Sequence, residues 1–374
     1  MSLYPPHRAP GTALASRPAR KARPVSRAHE RGMTLVELLV AMAVGLLIVL
    51  VAISGLVAGQ RGAATVDTAS QLRDDARFAT DMIQRLVMQA GFEDIPFASA
   101  PYKSSAAQYK HANPGSSGSN IDIKTLQPNV YGFNNAVPNA TDPLHSAAAR
   151  KKDTPGYGSD VLVLQYQTAR SDPGLDASAP DGSMITCNGL ATQDAQDTAT
   201  SRGTRLVSIL HVAESEGELA LMCTARNKNG QFETVPLVKG VENFQVLYGV
   251  DNVTAGTAPA GHVDSVPDSY LRADQLTVTG DLNATYTNWR RVRSLRIGLV
   301  LRGPAGSAQE KAEIKYHPLG QASYENNNDP GSEFTPHDNR LRQIATLSVQ
   351  LRNCQNQGYQ PSSGDAPCDV VLPK

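Results

Sequence analysis

An apolar run from Leu38 to Gly59 is the feature of this sequence that most limits how the chain can fold. As an α-helix, a run of this length measures about 33 Å, which is enough to cross the hydrocarbon core of a bilayer. Seven Lys and Arg residues precede the run and none lies within it. Because basic residues hold their end of a membrane helix in the cytoplasm, we expect everything after Gln60 to lie outside the cytoplasm.

A secretory signal peptide and a plain single-pass anchor are the two ordinary explanations of such a run. A signal peptide has an apolar core of about 7–15 residues and a small-residue cleavage site after it. Here the run is longer, and Ala58-Gly59-Gln60 leads into more helix-forming sequence. A plain anchor leaves Glu37 unexplained, because an ionisable group within a membrane segment is costly and indicates a functional site.

The residues around Glu37 resemble a processing signal. The segment Gly32-Met-Thr-Leu-Val-Glu-Leu38 is similar to the class III signal of type IV pilins and pseudopilins. The resemblance implies that a prepilin peptidase cuts between Gly32 and Met33 and methylates the new Met33 amine, at a position where the family usually has Phe. It also implies that Glu37 sets the register between subunits. A neighbouring subunit's Met33 amine would neutralise this carboxylate at nearly the same membrane depth.

Removal of the predicted leader changes the charge balance of the chain. The whole sequence has 35 Lys and Arg against 35 Asp and Glu, and residues 1–32 hold seven of the bases but one acid, Glu30. The mature chain therefore has 28 basic and 34 acidic residues, a formal charge of −6. A mildly acidic chain gives no support for broad nucleic-acid binding.

The sequence predicts that the membrane helix continues into a second, amphipathic half. No proline occurs in residues 33–90, and after Arg61 apolar residues recur at spacings of three and four, with charged residues between them. Gly91 is expected to end the helix. We therefore divide the chain into a cleaved leader (1–32), a transmembrane helix (33–60), its amphipathic continuation (61–91) and an exported β-rich domain (92–374).

The exported part predicts an α+β fold with an antiparallel sheet, because strands follow the long helix without alternating with further helices. Residues 92–157 and 252–288 are polar and rich in turn-forming residues, so we expect loop insertions there. The candidate strand at 235–238 is the weakest, because Pro236 makes it either an edge strand or no strand at all. The predicted strands are 159–167, 205–212, 218–224, 235–238, 241–250, 292–301 and 344–351.

Three segments of the exported part extend the resemblance. Residues 158–166, 238–249 and 340–353 resemble the minor pilin PilW of type IV pilus systems, so that with the N-terminus the similarity covers a minority of the chain in four patches. The resemblance implies a long pilin-type helix packed on an antiparallel β-sheet domain. It also implies a minor pilin that takes part in pilus assembly, within an initiation or tip complex, and thereby in cell adhesion and twitching motility.

The resemblance also implies partners and a location. The partners are prepilin peptidase, the other minor pilins, the major pilin, the inner-membrane assembly platform and a large tip adhesin. The chain would cross the inner membrane once, with its N-terminus in the cytoplasm and its C-terminal domain in the periplasm, and then enter the pilus at its tip.

The sequence contains four cysteines, Cys187, Cys223, Cys354 and Cys368, which allow three pairings. Cys354 and Cys368 are close in sequence across a loop that contains Gly and Pro, so we predict the bonds Cys354–Cys368 and Cys187–Cys223. An exported domain makes disulfides chemically reasonable, whereas four buried free thiols would suit a cytoplasmic protein. No Cys-x-x-Cys pair or His cluster supports a zinc site.

The sequence shows little that indicates catalysis. The histidines are scattered without His-Glu-x-x-His spacing, and neither Gly-x-Ser-x-Gly nor a phosphate-binding loop is present. We therefore predict a protein that is not an enzyme and needs no cofactor, metal or small-molecule substrate.

Two polar clusters could be read as binding sites. Glu325, Glu333 and the Asn- and Asp-rich residues 326–330 offer oxygen atoms to Ca²⁺, although a solvated polar turn is the preferred interpretation. Aromatic and arginine residues in 270–293 suggest a DNA-binding patch, but a strand edge protected by cationic residues is preferred. These residues are Tyr270, Arg272, Trp289, Arg290, Arg291 and Arg293.

Three other functions stay open on the sequence. A type II secretion pseudopilin of the J type shares the N-terminal signal. A membrane-anchored periplasmic enzyme or sensor would act through its domain alone and would need neither processing nor Glu37. A DNA-uptake pilin would bind DNA in a salt-dependent manner.

Overall fold

The structure is a computed structural model. It describes residues 32–92, 108–109, 121–122, 127–169, 180–191, 205–261, 264–308, 314–327 and 329–353. Cys354, Cys368 and the predicted leader up to residue 31 lie outside these residues. The chain forms two compact units, residues 1–58 and residues 59–374.

The predicted long helix is present as one element, α1, which spans Leu35–Gln89 and contains 55 residues. Its first half exposes its apolar side chains, whereas its second half buries one face. The buried residues of α1 are Leu72, Ala76, Ala79, Ile83, Leu86 and Val87. Their spacing of three and four places them on one side of the helix, as the periodicity predicts.

Both ends of the buried half of α1 are attached to the domain. Near its start, the Thr65 hydroxyl donates to the Ser307 carbonyl at 3.3 Å. At its end, Gly91 adopts a positive φ of 73° and donates its N–H to the Gln165 carbonyl, which is a common way for a helix to stop. The Asn353 side chain donates to the Ala90 carbonyl at 3.1 Å and so satisfies one of the last acceptors of the helix.

The domain contains two antiparallel sheets, which confirms the predicted α+β class. The larger has five strands in the order β3-β6-β7-β8-β9, and the smaller has four in the order β11-β10-β12-β13. The strands that precede β6 are β1 Gln108–Tyr109, β2 Ile121–Asp122, β3 Val130–Phe133, β4 Ala136–Pro138 and β5 Ala147–Ala149. The later strands are β6 Val161–Tyr166, β7 Leu206–Ser215, β8 Glu218–Arg226, β9 Phe232–Lys239, β10 Val241–Val250, β11 Ser269–Leu271, β12 Val292–Arg302 and β13 Arg342–Gln350.

Each of the seven predicted strands corresponds to a strand of the structure. The strand at 241–250 has the predicted bounds, and the others differ by a few residues. Pro236 lies in β9, which forms an edge of the five-stranded sheet, as the missing proline N–H requires. The pairing of β8 with β9 shifts register between Leu221 and Met222, and Met222 faces Pro236.

Residues 252–288 contain more regular structure than the predicted loop. They include β11, a 3-10 helix at Asp274–Leu276, and most of helix α2, Leu282–Arg290. Asp281 caps α2 by accepting a hydrogen bond from the Ala284 N–H at 2.9 Å. This region lacks a long apolar pattern because α2 is short, and its buried face contains Thr and Asn as well as Trp289. A third helix, α3, spans Gln321–Asn327.

A single glycine separates the two sheets along the chain. Gly240 lies between β9 and β10, has a φ of 84°, and donates to the Leu219 carbonyl while it accepts from the Arg302 N–H. A Cβ at this position would lie 2.7 Å from the Arg302 carbonyl oxygen, so only glycine fits without strain. The chain therefore leaves one sheet and enters the other within one residue.

Asp160 joins the two sheets away from this corner. Its carboxylate accepts N–H groups from Asn135 and from Val246 of β10, at 2.9 and 2.8 Å. Its own N–H donates to the Phe244 carbonyl at 2.8 Å. One buried side chain thus fixes the start of β6 against the middle of β10, and the apolar residues of α1 and both sheets form one core.

Ion pairs form a second connection between the sheets. The Arg302 guanidinium lies 2.7 Å from Glu218 of β8 and 3.7 Å from the buried Glu242 of β10. Arg342 of β13 binds Glu242 as well, and it contacts Asp338 at 2.6 Å. Because Glu242 is nearly inaccessible to water, its pairing offsets a desolvation cost that would otherwise be large.

We expect the two faces of α1 to respond differently to truncation. Ile83 is fully buried, and Ile83→Ala should lower the free energy of unfolding by about 2–5 kcal/mol, since it removes core contacts and leaves a cavity. Phe78 is 59% exposed on the same helix, and Phe78→Ala should change it by no more than about 0.5 kcal/mol. Denaturant unfolding of the full chain in detergent, followed by the fluorescence of the single tryptophan, measures both. Equal losses would contradict the packing of this half of α1.

Candidate functional site

The start of α1 is built by two side chains of the predicted signal. Thr34 directly precedes the helix, and its hydroxyl accepts the Glu37 N–H at 3.3 Å. In return, a Glu37 carboxylate oxygen accepts the Thr34 N–H at 2.9 Å and the Thr34 hydroxyl at 3.0 Å. This reciprocal pair is a capping box, which satisfies N–H groups that the first turn of a helix leaves without partners.

The capping box determines where the Glu37 carboxylate lies. It is held in the first turn, where the partial positive charge of the helix N-terminus stabilises an anion. The neighbouring Met33, Leu35, Val36 and Leu38 side chains are all exposed, so the carboxylate is surrounded by an apolar surface. Glu37 was predicted from the sequence as a site residue and Thr34 was not, although Thr-x-x-Glu before an apolar run is a recognisable capping signal.

The predicted scissile bond lies just outside the helix. Gly32, Met33 and Thr34 have no regular secondary structure, and the helix begins at Leu35. Among the described residues, α1 is the one helix that is long and apolar enough to cross a membrane. The structure thus brings Thr34 and Glu37 together and places Gly32 and Met33 immediately before them.

One of the two predicted disulfides falls within the described residues and is present. Cys187 and Cys223 are bonded, with 5.7 Å between their Cα atoms. The bond attaches the segment 180–191 to β8, and the Cys187 N–H also donates to the Ser208 hydroxyl of β7 at 3.0 Å. This segment is therefore fixed to the five-stranded sheet. The predicted Cys354–Cys368 bond lies outside the described residues.

A buried arginine holds the chain before β6 in place. The Arg150 Nε donates to the carbonyls of Ala136 and Ser159 at 2.9 and 3.0 Å, and its Nη2 donates to the Val212 carbonyl of β7. Burial lowers the pKa of Arg150 to about 10, an effect that the nearby Asp160 partly opposes. The side chain stays cationic at neutral pH and connects three backbone segments.

His211 of β7 is buried beside this arginine. Its Nε2 lies 3.0 Å from the Thr224 hydroxyl, which in turn lies 2.7 Å from the Thr234 hydroxyl. Burial, together with the positive charge of Arg150, lowers the pKa of His211 to about 4. The imidazole is therefore neutral in the folded protein at neutral pH.

The proposed solvated turn at 325–333 is wrong for Asp329. This carboxylate is 3% exposed, accepts the Asn134 amide at 2.9 Å, and lies 3.7 Å from the Arg272 Nε. Burial raises its pKa. Glu333 instead pairs with Lys315 at 3.1 Å. The described residues contain no group of three or more His, Cys, Asp or Glu side chains placed to hold a metal ion.

The cationic strand edge proposed for residues 270–293 is also wrong for Trp289, Arg290 and Arg293, although Tyr270 lies on the edge strand β11. Trp289 and Arg290 belong to α2 and are 5% and 1% exposed, and Arg293 lies on β12, an interior strand of its sheet. Trp289 packs edge-on against Tyr248 of β10, with 4.7 Å between ring centroids. Trp289 stabilises the packing of α2 on the sheets, and Trp289, Arg290 and Arg293 are too buried to bind a ligand.

Comparison with known proteins gives two family matches. Residues 209–353 match the family described as Type IV Pilus-assembly protein W, which covers the strands from β7 to β13. Residues 27–53 match the prokaryotic N-terminal methylation motif, which includes the capping box. These two matches support a PilW-like type IV minor pilin.

The other comparisons add one structural similarity. A solved type IV-like pilin from Thermus thermophilus aligns with 76% of this chain and 98% of its own, at 12% identity and a TM-score of 0.31. No curated protein sequence matches the chain.

The family matches establish the general role of this minor pilin. It takes part in type IV pilus assembly, and its family implies interaction with other pilins and with the pilus machinery. The pilin-like family suggests a structural role. The methylation motif and the apolar half of α1 indicate a membrane-anchored chain with an exported C-terminal domain.

His211 predicts how the stability of the domain depends on pH. The ordinary pKa of histidine, about 6.5, applies to the unfolded chain, whereas the folded value is about 4, so unfolding takes up a proton between these pH values. The stabilisation is fully present above pH 6.5 and is lost as pH falls to 4, by up to about 3 kcal/mol. Denaturant titrations of the full chain from pH 4 to 7 should show a shallower slope for His211→Gln than for the parent. His145→Gln is the matched control, since His145 is largely exposed. Equal slopes for parent and His211→Gln would contradict this account.

Proposed function

We propose that this PilW-like chain is made as a prepilin and is cut between Gly32 and Met33, with methylation of the new Met33 amine. The observation that carries the proposal is the position of this bond. It lies in an exposed, non-helical segment, two residues before a capped helix. A peptidase needs an extended backbone in its active site, and the capping box at Thr34 keeps the helix from extending back over the scissile bond.

We further propose that Glu37 sets the axial register between subunits. In the single chain its carboxylate bonds only to Thr34 among the described residues. When subunits pack through the apolar half of α1, this carboxylate leaves water, and a charge without a partner is then costly. The Met33 amine of a neighbouring subunit supplies the compensating positive charge. Subunits that are out of register would leave both charges buried and unpaired.

The assembly role follows from these two steps. The mature chain is held in the inner membrane by residues 33–59, with its N-terminus on the cytoplasmic side and its domain in the periplasm. It joins the other minor pilins in a complex that starts polymerisation on the inner-membrane platform. The major pilin then adds beneath this complex, which stays at the tip and contacts a large adhesin. The wholly exposed apolar half of α1 supports this role, because it needs the helices of other subunits once it leaves the membrane.

Replacement of Gly32 tests the processing step. In Gly32→Val a branched side chain occupies the position before the cut, so we expect the leader to stay attached, and the intact mass of the protein purified from host membranes measures this. Gly11→Val, a change of the same size within the leader, should be processed normally. A mature start at Met33 in the Gly32→Val variant, or an uncut parent chain, would overturn the proposed cleavage.

Two replacements of Glu37 separate charge from capping. Glu37→Gln keeps a side chain that can complete the capping box but removes the charge, whereas Glu37→Leu removes both. Both variants should be processed at Gly32. Because an unpaired Met33 amine costs several kcal/mol once it is buried, both should reduce the amount of this chain in sheared pili by about tenfold or more. Immunoblots of pili and membranes measure the ratio. Normal incorporation of Glu37→Gln would show that Glu37 acts through capping alone.

A further inference from the structure

The two main sheets end in four edge strands, and these differ in how well they are protected. β3 and β11 have four and three residues and offer little backbone for pairing. β9 has eight, but Pro236, a register shift and the exposed Glu233 and Lys239 interrupt it. Such features are the usual means by which proteins keep a sheet edge from pairing. β13 has nine residues, no proline, and no register shift against β12.

The hydrogen bonds of β13 show which of its groups face the open edge. The Leu351 N–H donates to the Arg293 carbonyl, and the Gly303 N–H donates to the Leu341 carbonyl. In an antiparallel sheet, the backbone groups of every second residue of an edge strand bond to the neighbouring strand. Leu341 and Leu351 bond in this way, so the odd-numbered residues of β13 bond to β12. The even-numbered residues point their N–H and C=O groups outward. Among the described residues, no backbone hydrogen bond joins these outward groups to another segment.

The side chains at this edge leave most of it accessible, although the Gln343 amide donates to the outward Ile344 carbonyl at 2.8 Å. Thr346, Ser348 and Gln350 are exposed. Arg342 is the one charged residue of the strand, and Glu242 and Asp338 neutralise it. Nothing along the described edge therefore repels an incoming strand of either charge.

We propose that the free edge of β13 binds an extended strand of a different polypeptide, which adds to the four-stranded sheet. Ala345 and Leu347 are partly buried against the core, so the residues beside them in the incoming strand should be apolar. Thr346 and Ser348 face water, so the alternate residues should be polar. The partner segment is thus a strand of at least about five residues with apolar-polar alternation and no proline. That the partner is a component of the pilus rests on the proposed function, whereas the pairing at β13 does not.

A second copy of this chain does not fit the edge as well. The segment 341–353, which contains β13, runs from Leu341, which pairs with Gly303 near Thr68, to Asn353, which contacts Ala90. It therefore runs in the same direction as the second half of α1. Antiparallel pairing of two copies through β13 would point their α1 helices in opposite directions. Two copies in which the second halves of α1 run in the same direction therefore cannot pair antiparallel through β13.

The chain's own C-terminal residues are the other possible occupant. Residues 354–374 follow β13 directly and contain Pro361, Pro367 and Pro373. Residues 354–360 are long enough to pair, but they are almost wholly polar and lack the apolar-polar alternation that the edge favours. The apolar residues after Cys368 number only three, Val370, Val371 and Leu372, before Pro373. We therefore favour a separate polypeptide, and the experiment distinguishes the two.

Residue-resolved hydrogen exchange of the full chain in detergent tests the edge directly. The probe is the peptide acetyl-Thr-Val-Thr-Val-Thr-Val-Thr-amide, and its control is the same peptide with N-methyl groups on alternate residues, which cannot pair. We expect the amides of Ile344, Thr346 and Ser348 to exchange rapidly in the chain alone. Probe at twice its Kd should slow them about threefold by mass action, and the control should not. Protection in the chain alone would assign the edge to residues 354–374 and overturn the proposal, as would the absence of protection by the probe.

A proline replacement tests the edge in the cell. The outward Ser348 N–H is not bonded to β12, so Ser348→Pro should block an added strand without unfolding the sheet, and Ser348→Ala is the matched control. We expect Ser348→Pro to be cut at Gly32 and to keep its melting temperature, but to lower pilus number about tenfold. Pilus numbers equal to those of Ser348→Ala would overturn the proposal. If deletion of the whole chain leaves pilus number unchanged, the proposed function fails, while the exchange measurement still decides the edge.

Discussion

The apolar surface of the first half of α1 is the constraint on which the rest of this minor pilin depends. Within the described chain no other element covers these side chains, so they need lipid or the helices of other subunits. A helix supplies all its interior backbone hydrogen bonds itself, which makes it suitable for both surroundings. Its N-terminal N–H groups are the exception, and the Thr34–Glu37 capping box supplies them with partners.

The domain contains two small sheets, and polar contacts fix their relative position. Neither sheet is large, but Gly240, Asp160 and the Arg302–Glu242 contact join them at separate points. Buried polar groups are costly unless each has a partner, and here the partners come from the opposite sheet. A polar connection of this kind fixes one relative position of the sheets, whereas apolar packing alone would tolerate several.

Most of the secondary structure could be predicted from the sequence, because α1 and the long strands have clear periodic patterns. Pro236 limited its segment to an edge strand or no strand, since its missing N–H is a local property, and the structure shows the edge strand. Asp329, Trp289 and Arg290 were misjudged as surface residues. Their burial depends on contacts with Asn134, Tyr248 and other residues that are distant in sequence, which no local pattern reports.

The N-terminal site was more readily predicted than the rest of the domain. Gly32, Met33 and Glu37 belong to one short motif, so their arrangement follows from helix geometry alone, and the role of Thr34 could have been recognised in the same way. Their cleavage, methylation and register roles remain predictions. The Cys187–Cys223 bond joins residues that are 36 positions apart in sequence. It was predicted because Cys354 and Cys368 are close in sequence and were paired first, not because of any pattern around Cys187 or Cys223.

The attachment of α1 at Thr65 and again at Ala90 has a mechanical consequence. A tension along α1 does not separate the helix from the domain one residue at a time. The row of buried side chains from Leu72 to Val87 runs along the helix axis, which is the direction of the pull. These contacts must move together, because a close-packed core has few voids and transmits strain. A pull along the second half of α1 therefore loads the whole buried face of the helix at once.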